Sequence, residues 1–524
     1  MQRLAPTLVS LSVLGTFSLT ASAASAADNS QCAALAAKVV GNAKVEVAEA
    51  VTSGSFKPDD GTALSGLPAF CHVRGLAKAA PKSNIHFELW MPIANWNGRI
   101  QMTGNGGYSP AMSFDQMAAL LKSGSVAVAT DTGHTGPGDD LSYGTTNDDA
   151  IADWGYRSVH ESIVPAKALV TAFYGKAAQK TYFLGCSTGG HQGLVEAQKY
   201  PDDFDGILAG DPANNRTNLN LSFLWRFQTV HNQSDNSLIL SPADLKRVNT
   251  AAMEQCDAAD GVKDGIMSNP VACKFDVKKL QCAPGKTSDC LSDKQVEAMS
   301  KVYNTLKRKD NGEEIYTGWV VGSEWVEGTR SWDAYWADPK RADQPIRGEY
   351  LRGWIYHDAN WNPWSFDWAK DVDFARQRVG AMADMNEVDL SAFKKRGGKI
   401  ILYQGFVDPI VSALDTAKYY EKLQKANAGA ADFTRLFMVP GMGHCNGGPG
   451  ATSFSFAMNT DGDHDAVLAI QDWVEKGKAP EKIVATRFNK DRTVAMTRPL
   501  CSYPKAPMYS GKGDTNDASS FVCK

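Results

Sequence analysis

Between Asn84 and about Gly210, short apolar runs alternate with stretches of helical spacing. Ile85-His86-Phe87-Glu88-Leu89-Trp90 and Arg99-Ile100-Gln101-Met102 read as strands, the second running into the glycine loop Gly104-Asn105-Gly106-Gly107. Ser125-Val126-Ala127-Val128-Ala129-Thr130 is short, apolar and β-branched, as a strand buried on both faces should be. A helical stretch from about Tyr156 to Tyr174 comes next, then strand Thr181-Tyr182-Phe183-Leu184, a glycine-rich turn and a helix to about Tyr200. Gly206-Ile207-Leu208-Ala209-Gly210 closes the run. Such alternation predicts an α/β fold with an open, mostly parallel sheet between helices.

The rhythm then stops. Residues 213–393 are rich in Asn, Asp, Lys and Trp, and eight of the thirteen tryptophans fall between Trp319 and Trp368. It resumes with strand Lys399-Ile400-Ile401-Leu402-Tyr403, a helix near Ser412 to Gln424, strand Thr434 to Val439 and a helix near Asp463 to Glu475. The simplest organisation is one α/β domain, residues 27–212 and 394–524, interrupted by an inserted lid at 213–393. Most of the clustered tryptophans are expected in the lid's core, and a few along a cleft for planar ligands.

Ahead of this, Arg3 precedes a mostly apolar run from Leu4 to Leu19, and Ala24-Ser25-Ala26 supplies an A-x-A cleavage site. Residues 1–26 therefore read as a signal peptide, with a secreted or periplasmic mature chain. Ten cysteines fit export, because disulfides persist in oxidising compartments. No C-x-x-C occurs, which argues against zinc ribbons and thioredoxin-like redox centres. The 524 residues carry 54 Lys+Arg against 58 Asp+Glu, a net charge of −4. That near-balance speaks against nucleic acid as a partner, and no long apolar run beyond the N-terminus suggests a membrane span.

Gly185-Cys186-Ser187-Thr188-Gly189 matches G-x-S-x-G between a predicted strand and a predicted helix. That placement exposes a serine hydroxyl on a sharp turn, with a helix N-terminus to favour developing negative charge. A serine needs a base, and the base an orienting acid; in the α/β-hydrolase order the acid and then the histidine follow the serine along the chain. Downstream of the lid only His444 and His464 remain. His444 lies in a tight loop after a strand, whereas His464 sits among aspartates at a helix start. For the acid, Asp408 follows strand Lys399 to Tyr403, and its rival Asp415 falls inside the next helix. Cys186 precedes the candidate nucleophile and Cys445 follows the candidate base, so a serine–histidine hydrogen bond would bring the two within disulfide reach. The oxyanion donors are expected to be the N–H of Thr188 and that of Gly107 or its neighbour Gly106.

A second constellation is Cys256-Asp257-Ala258-Ala259-Asp260-Gly261-Val262-Lys263-Asp264-Gly265-Ile266. Asp257, Asp260 and Asp264 offer carboxylates, and Val262 and Ile266 backbone carbonyls, to a hard cation such as calcium. It is not an EF-hand, because position twelve is Ser268 rather than Glu.

Taken together, Gly185-Cys186-Ser187-Thr188-Gly189-Gly190, Asp408, His444-Cys445 and the loop from Asp257 to Ile266 resemble the tannase/feruloyl esterase family of secreted serine esterases. The resemblance covers essentially the whole mature chain. It implies an α/β-hydrolase domain with a lid carrying structural calcium. It also implies the bridges Cys32–Cys71, Cys186–Cys445, Cys256–Cys273, Cys282–Cys290 and Cys501–Cys523. Family substrates are esters of aromatic acids: ferulate, gallate and, in one branch, mono(2-hydroxyethyl) terephthalate. That branch carries Glu after the nucleophile, where Thr188 here is similar to the hydroxycinnamate and gallate esterases. The expected substrate is a small aromatic ester, free or attached to plant polysaccharide or polyphenol. The activity this implies is that of a feruloyl esterase, with a tannase or mono(2-hydroxyethyl) terephthalate hydrolase-like esterase, a serine peptidase and a non-catalytic, calcium-dependent polysaccharide-binding protein as the alternatives.

Overall fold

A computed structural model describes residues 29–327, 329–341, 345–455 and 461–524; the signal peptide read at 1–26 lies outside them. Ten strands form one sheet: β1 (Val39–Val40), β2 (Ala43–Val51), β3 (Phe70–Ala77), β4 (Ile85–Pro92), β5 (Arg99–Thr103), β6 (Val126–Thr130), β7 (Lys180–Cys186), β8 (Gly206–Gly210), β9 (Lys399–Gly405) and β10 (Thr434–Val439). Their spatial order departs from chain order at one place, where β6 lies between β4 and β5. From β6 to β10 every pairing is parallel, and from β1 to β6 every pairing is antiparallel. The sheet is therefore mixed rather than mostly parallel. The difference comes from β2 and β3, which the apolar-run pattern does not reveal: β2 lies near the sheet's edge and alternates polar and apolar positions.

The parallel half obeys the pattern. All five residues of β6 and all five of β8 are buried, because helices cover both faces. On one face α2 (Ser158–Tyr174), α3 (Thr188–Lys199) and α5 (Ala413–Ala426) pack against Val128, Phe183, Ile207, Ile400 and Leu436. On the other, α1 (Phe114–Lys122) and α6 (Ala466–Lys476) pack against Ala127, Tyr182, Leu208, Ile401 and Phe437. Successive strand residues thus feed opposite cores, as the two-residue period requires.

No described residue between β8 and β9 joins this sheet. That excursion contains α4 (Arg216–Val230) and builds two further apolar clusters. One encloses Trp319, Trp332 and Trp336 and closes on Ile410 and Val411; the other holds Trp354 and Trp368 against Tyr108, Leu141 and Trp154. Five of the eight clustered tryptophans are therefore core residues. Because β8 and β9 are adjacent and parallel, the excursion leaves at the carboxyl end of β8 and returns across the sheet to the amino end of β9, while the loops that follow both strands share one edge. In open α/β sheets, ligands bind at the carboxyl ends of the strands.

All ten cysteines are paired, in the five bridges that the family resemblance implies. Among the described residues no helix is long and apolar enough to cross a membrane.

Candidate active site

Ser187 occupies the turn between β7 and α3 with φ 61° and ψ −118°, a conformation that non-glycine residues rarely adopt. The turn is locked from both sides: Ser187 donates its N–H to the Gly210 carbonyl at 2.9 Å, and its own carbonyl accepts from His191 at 2.9 Å. So sharp a bend needs bare backbone around it. A methyl group on Gly185 would stand 2.6 Å from the Gly189 backbone, and one on Gly190 would stand 2.2 Å from the Gly210 carbonyl.

His444 reaches Ser187 from the loop after β10, with Nε2 2.7 Å from the Ser187 Oγ. Its Nδ1 lies 2.6 Å from Asp408 Oδ2. Asp408, only 1% exposed, follows β9, and its Oδ1 accepts the N–H groups of Ile410 at 2.7 Å and Val411 at 3.0 Å. Those two donors fix the orientation of the carboxylate. Two tryptophans of the excursion hold the same loop: Trp319 donates to the Asp408 carbonyl at 3.0 Å and Trp336 to that of Pro409 at 3.3 Å. The rivals stand apart. Asp415 lies within α5, and His464 pairs with Asp461 at 2.8 Å on the surface. Ser187 itself is 7% exposed.

The Cys186–Cys445 bridge joins the two loops, with a Cα separation of 5.9 Å across 259 residues of chain. Beside it, Thr188 begins α3, so its N–H has no acceptor within the helix. Its hydroxyl donates to the Gly107 carbonyl at 2.6 Å, which pins the glycine loop against the serine turn. In that loop the N–H of Gly104 is taken by the Leu184 carbonyl and that of Asn105 by Gln192 Oε1. Among the described residues the N–H groups of Gly106 and Gly107 have no acceptor. Three backbone donors therefore stand near the serine turn without partners.

Some residues of the site went unread in the sequence. Arg216 is fully buried over the rings of Tyr108 and Trp154, and its Nη2 donates to the Thr188 hydroxyl at 3.0 Å. Together with burial it depresses the His191 imidazole to about 3, so His191 is neutral and donates from Nε2 to the Gly155 carbonyl. Asp211 and Gln404 lie behind Asp408. Each is an ordinary residue at a strand end, and no local motif marks any of them.

The acidic loop is only partly assembled for a metal. Its carboxylates do not converge on one point. Asp257 accepts the N–H groups of Gly265 and Ile266, Asp260 those of Val262 and Ser268, and Asp264 accepts from Ile266 and pairs with Arg498 at 2.7 Å. Asp257 and Asp260 are 5% and 7% exposed, and Arg498 is the one basic side chain paired with the three acids among the described residues. Buried carboxylates short of positive charge are costly, so the donor chemistry fits a hard divalent cation. A cavity of about 300 Å³ between Ile266, Trp325 and Gly441 borders this loop without including Ser187.

Comparison with known proteins identifies the family. The family model described as tannase and feruloyl esterase matches residues 71–524. The chain is 33% identical to a probable feruloyl esterase B-2 of Aspergillus terreus, over 86% of each chain. It is 34% identical to the mono(2-hydroxyethyl) terephthalate hydrolase of Piscinibacter sakaiensis, over 88% of this chain and 85% of that one. Among solved structures, feruloyl esterase B from Aspergillus oryzae superposes with a TM-score of 0.87 at 29% identity, covering 95% of this chain and all of that one.

Proposed function

The chain belongs to the tannase and feruloyl esterase family and is a carboxylic ester hydrolase of the α/β-hydrolase fold, and from that premise we propose that it is a feruloyl esterase. Ser187, His444 and Asp408 would cleave esters of hydroxycinnamic or gallic-type acids through an acyl-enzyme. The observation that carries this reading is the chain of contacts from Ser187 Oγ through the imidazole to Asp408, at 2.7 and 2.6 Å.

The chemistry follows from those contacts. Ser187 Oγ attacks the ester carbonyl while its proton passes to His444 Nε2. Asp408 accepts the Nδ1–H, keeps the imidazole in the tautomer that presents a lone pair to the serine, and stabilises the imidazolium once formed. The N–H groups of Thr188 and Gly107 receive the oxyanion. As the tetrahedral intermediate collapses, the C–O bond to the alcohol breaks and His444 returns the proton to the leaving oxygen. Water, deprotonated by the same histidine, then releases the aromatic acid and restores Ser187. Residues 213–393 act as the lid: they supply the tryptophans that hold the Asp408 loop and the walls around Tyr108. Five disulfides support export to a secreted or periplasmic location.

The similarity to the terephthalate monoester hydrolase supports a second acyl group. Hydrolysis of methyl ferulate, methyl gallate and mono(2-hydroxyethyl) terephthalate, each beside Ser187→Ala, decides between them. Fastest serine-dependent turnover of the ferulate is expected. Silence on all three, with Ser187 still labelled by a phosphonate, would leave the nucleophile and remove the substrate class.

Calcium, held by the carboxylates of Asp257, Asp260 and Asp264 and the carbonyls of Val262 and Ile266, would neutralise the buried acids and brace the lid. A chelator is expected to lower the melting temperature by about 5 °C, since a cation at a hundred times its dissociation constant contributes about 2.7 kcal/mol. Calcium should restore it and magnesium should not, because magnesium dehydrates reluctantly. An unmoved melting curve, or lost turnover with the fold intact, would contradict a structural ion.

A further inference from the structure

Behind Asp408 lies a second carboxylic acid, Asp211, for which the proposed reaction has no role. It follows β8 with φ 39° and is fully buried. Its Oδ1 accepts the Gly405 N–H and the Gln404 amide, both at 2.8 Å, and its Oδ2 accepts the Cys445 N–H at 3.1 Å. The same Gln404 amide lies 3.2 Å from Asp408 Oδ2, so one NH₂ group spans both acids. A carboxyl oxygen of each acid and a ring nitrogen of His444 lie within 4.8 Å of one another. The remaining neighbours bring no positive charge. Tyr403 is held as a phenol by burial, the Cys186–Cys445 bridge does not titrate, and no Lys or Arg among the described residues pairs with either acid.

Two carboxylates cannot both ionise in so small a buried space without a cation. If they did, their combined charge would hold His444 as an imidazolium, which cannot take a proton from Ser187. We propose that Asp211 carries a proton in the resting enzyme and serves as a positioning acid, donating its O–H to Asp408 so that a single negative charge faces His444. The assignment to Asp211 follows from the partners. Both acids accept N–H groups, but only Asp408 faces the His444 ring, whose Nδ1–H it accepts at 2.6 Å and whose positive charge it balances during the reaction. Burial and the neighbouring Asp408 push the Asp211 carboxyl well above the usual range. The proton stays on Asp211 through both half-reactions, while the serine's proton travels by way of His444.

The inference rests on the triad reading, and its test separates the two. The pH profile of kcat/KM is measured for the native enzyme and for Asp211→Asn, a neutral replacement whose amide still donates to Asp408. The acid limb should move by less than about 0.3 pH unit, and the plateau should fall by less than about tenfold, the loss coming from the Cys445 contact. An acid limb lowered by about one unit or more would mean that a negative charge had been deleted, and would overturn the proposal. A larger loss of plateau rate would also overturn it, because a neutral donor would then not suffice. A second measurement can overturn the proposal without the variant: the infrared spectrum of native enzyme carrying ¹³C-aspartate, at about pH 8. Burial pushes Asp153, Asp384 and Asp415 up only to about 6 and also raises Asp264 and Asp333, so a protonated aspartate band is assigned to Asp211 by its loss in Asp211→Asn. Absence of the band overturns the proposal. Full activity of Ser187→Ala would instead sink the triad reading, and the band would still report the proton on Asp211.

Discussion

Ser187→Ala should lower kcat by roughly 10⁵ to 10⁶-fold and leave the melting temperature unchanged. The loss is large because the hydroxyl is the atom that forms the acyl-enzyme, and water bound in its place would attack without the serine's fixed approach. The fold should tolerate the change, since what holds the turn is backbone: the bond from Ser187 N–H to the Gly210 carbonyl and the bond from His191 N–H back to Ser187. Alanine keeps both. His444→Ala should cost about as much, and the double variant little more, because serine and base act as a unit. Asp408→Asn should cost about 10⁴-fold, through the wrong imidazole tautomer. The readout is steady-state hydrolysis beside a thermal melt. Activity surviving in Ser187→Ala, once contaminating esterase is excluded by phosphonate labelling, would end the triad assignment.

Replacing both Cys186 and Cys445 by alanine is the second large effect, and it strikes stability and rate together. The bridge closes 259 residues of chain, although the Cys256–Cys273 and Cys282–Cys290 bridges already shorten that loop. Its removal should cost about 2–4 kcal/mol, chiefly by freeing the unfolded chain. Turnover should fall about a hundredfold in enzyme that is still folded, because a displacement of about 1 Å between base and nucleophile is enough for that. Cys186 and Cys445 flank Ser187 and His444 directly, so slack in one pair becomes slack in the other. A circular-dichroism melt beside kcat at a temperature well below the transition separates the two effects. Unchanged kcat would mean that Asp408 and the Asp211–Cys445 hydrogen bond hold His444 without the bridge.

Much of the sheet and of the candidate site was legible in the chain. Strands β6 and β8 are continuous apolar runs, because a strand covered by helices on both faces must be apolar on both. G-x-S-x-G could be read because its glycines answer a local demand: the backbone crowds there, and a methyl group on Gly185 or Gly190 would collide with it. The rank of His444 over His464, and of Asp408 over Asp415, followed from position relative to a strand end. Strand β2 escaped because a peripheral antiparallel strand carries an alternation that resembles other surface segments, and β3, although mostly buried, because His72, Arg74 and Gly75 interrupt its apolar run. In the acidic loop, residue types pointed to calcium while the orientation of each carboxylate stayed hidden. Those oxygens turn to backbone N–H groups and to Arg498, which lies 234 residues from Asp264 in the chain and meets it only in the folded protein.

By itself, then, the sequence determined the alternation of elements, the candidate nucleophile turn and the chemical kinds of its proposed partners, since each depends on residues close together in the chain. Only the tertiary structure decided that Asp211, Gln404 and Arg216 stand within reach of Ser187, His444 and Asp408. Their contacts join positions that can be nearly two hundred residues apart, brought together because β8 and β9 lie side by side in the sheet. A lone aspartate after a strand shows nothing of this. Its meaning comes from a second carboxylate placed beside it in a space too small and too dry for both to be charged.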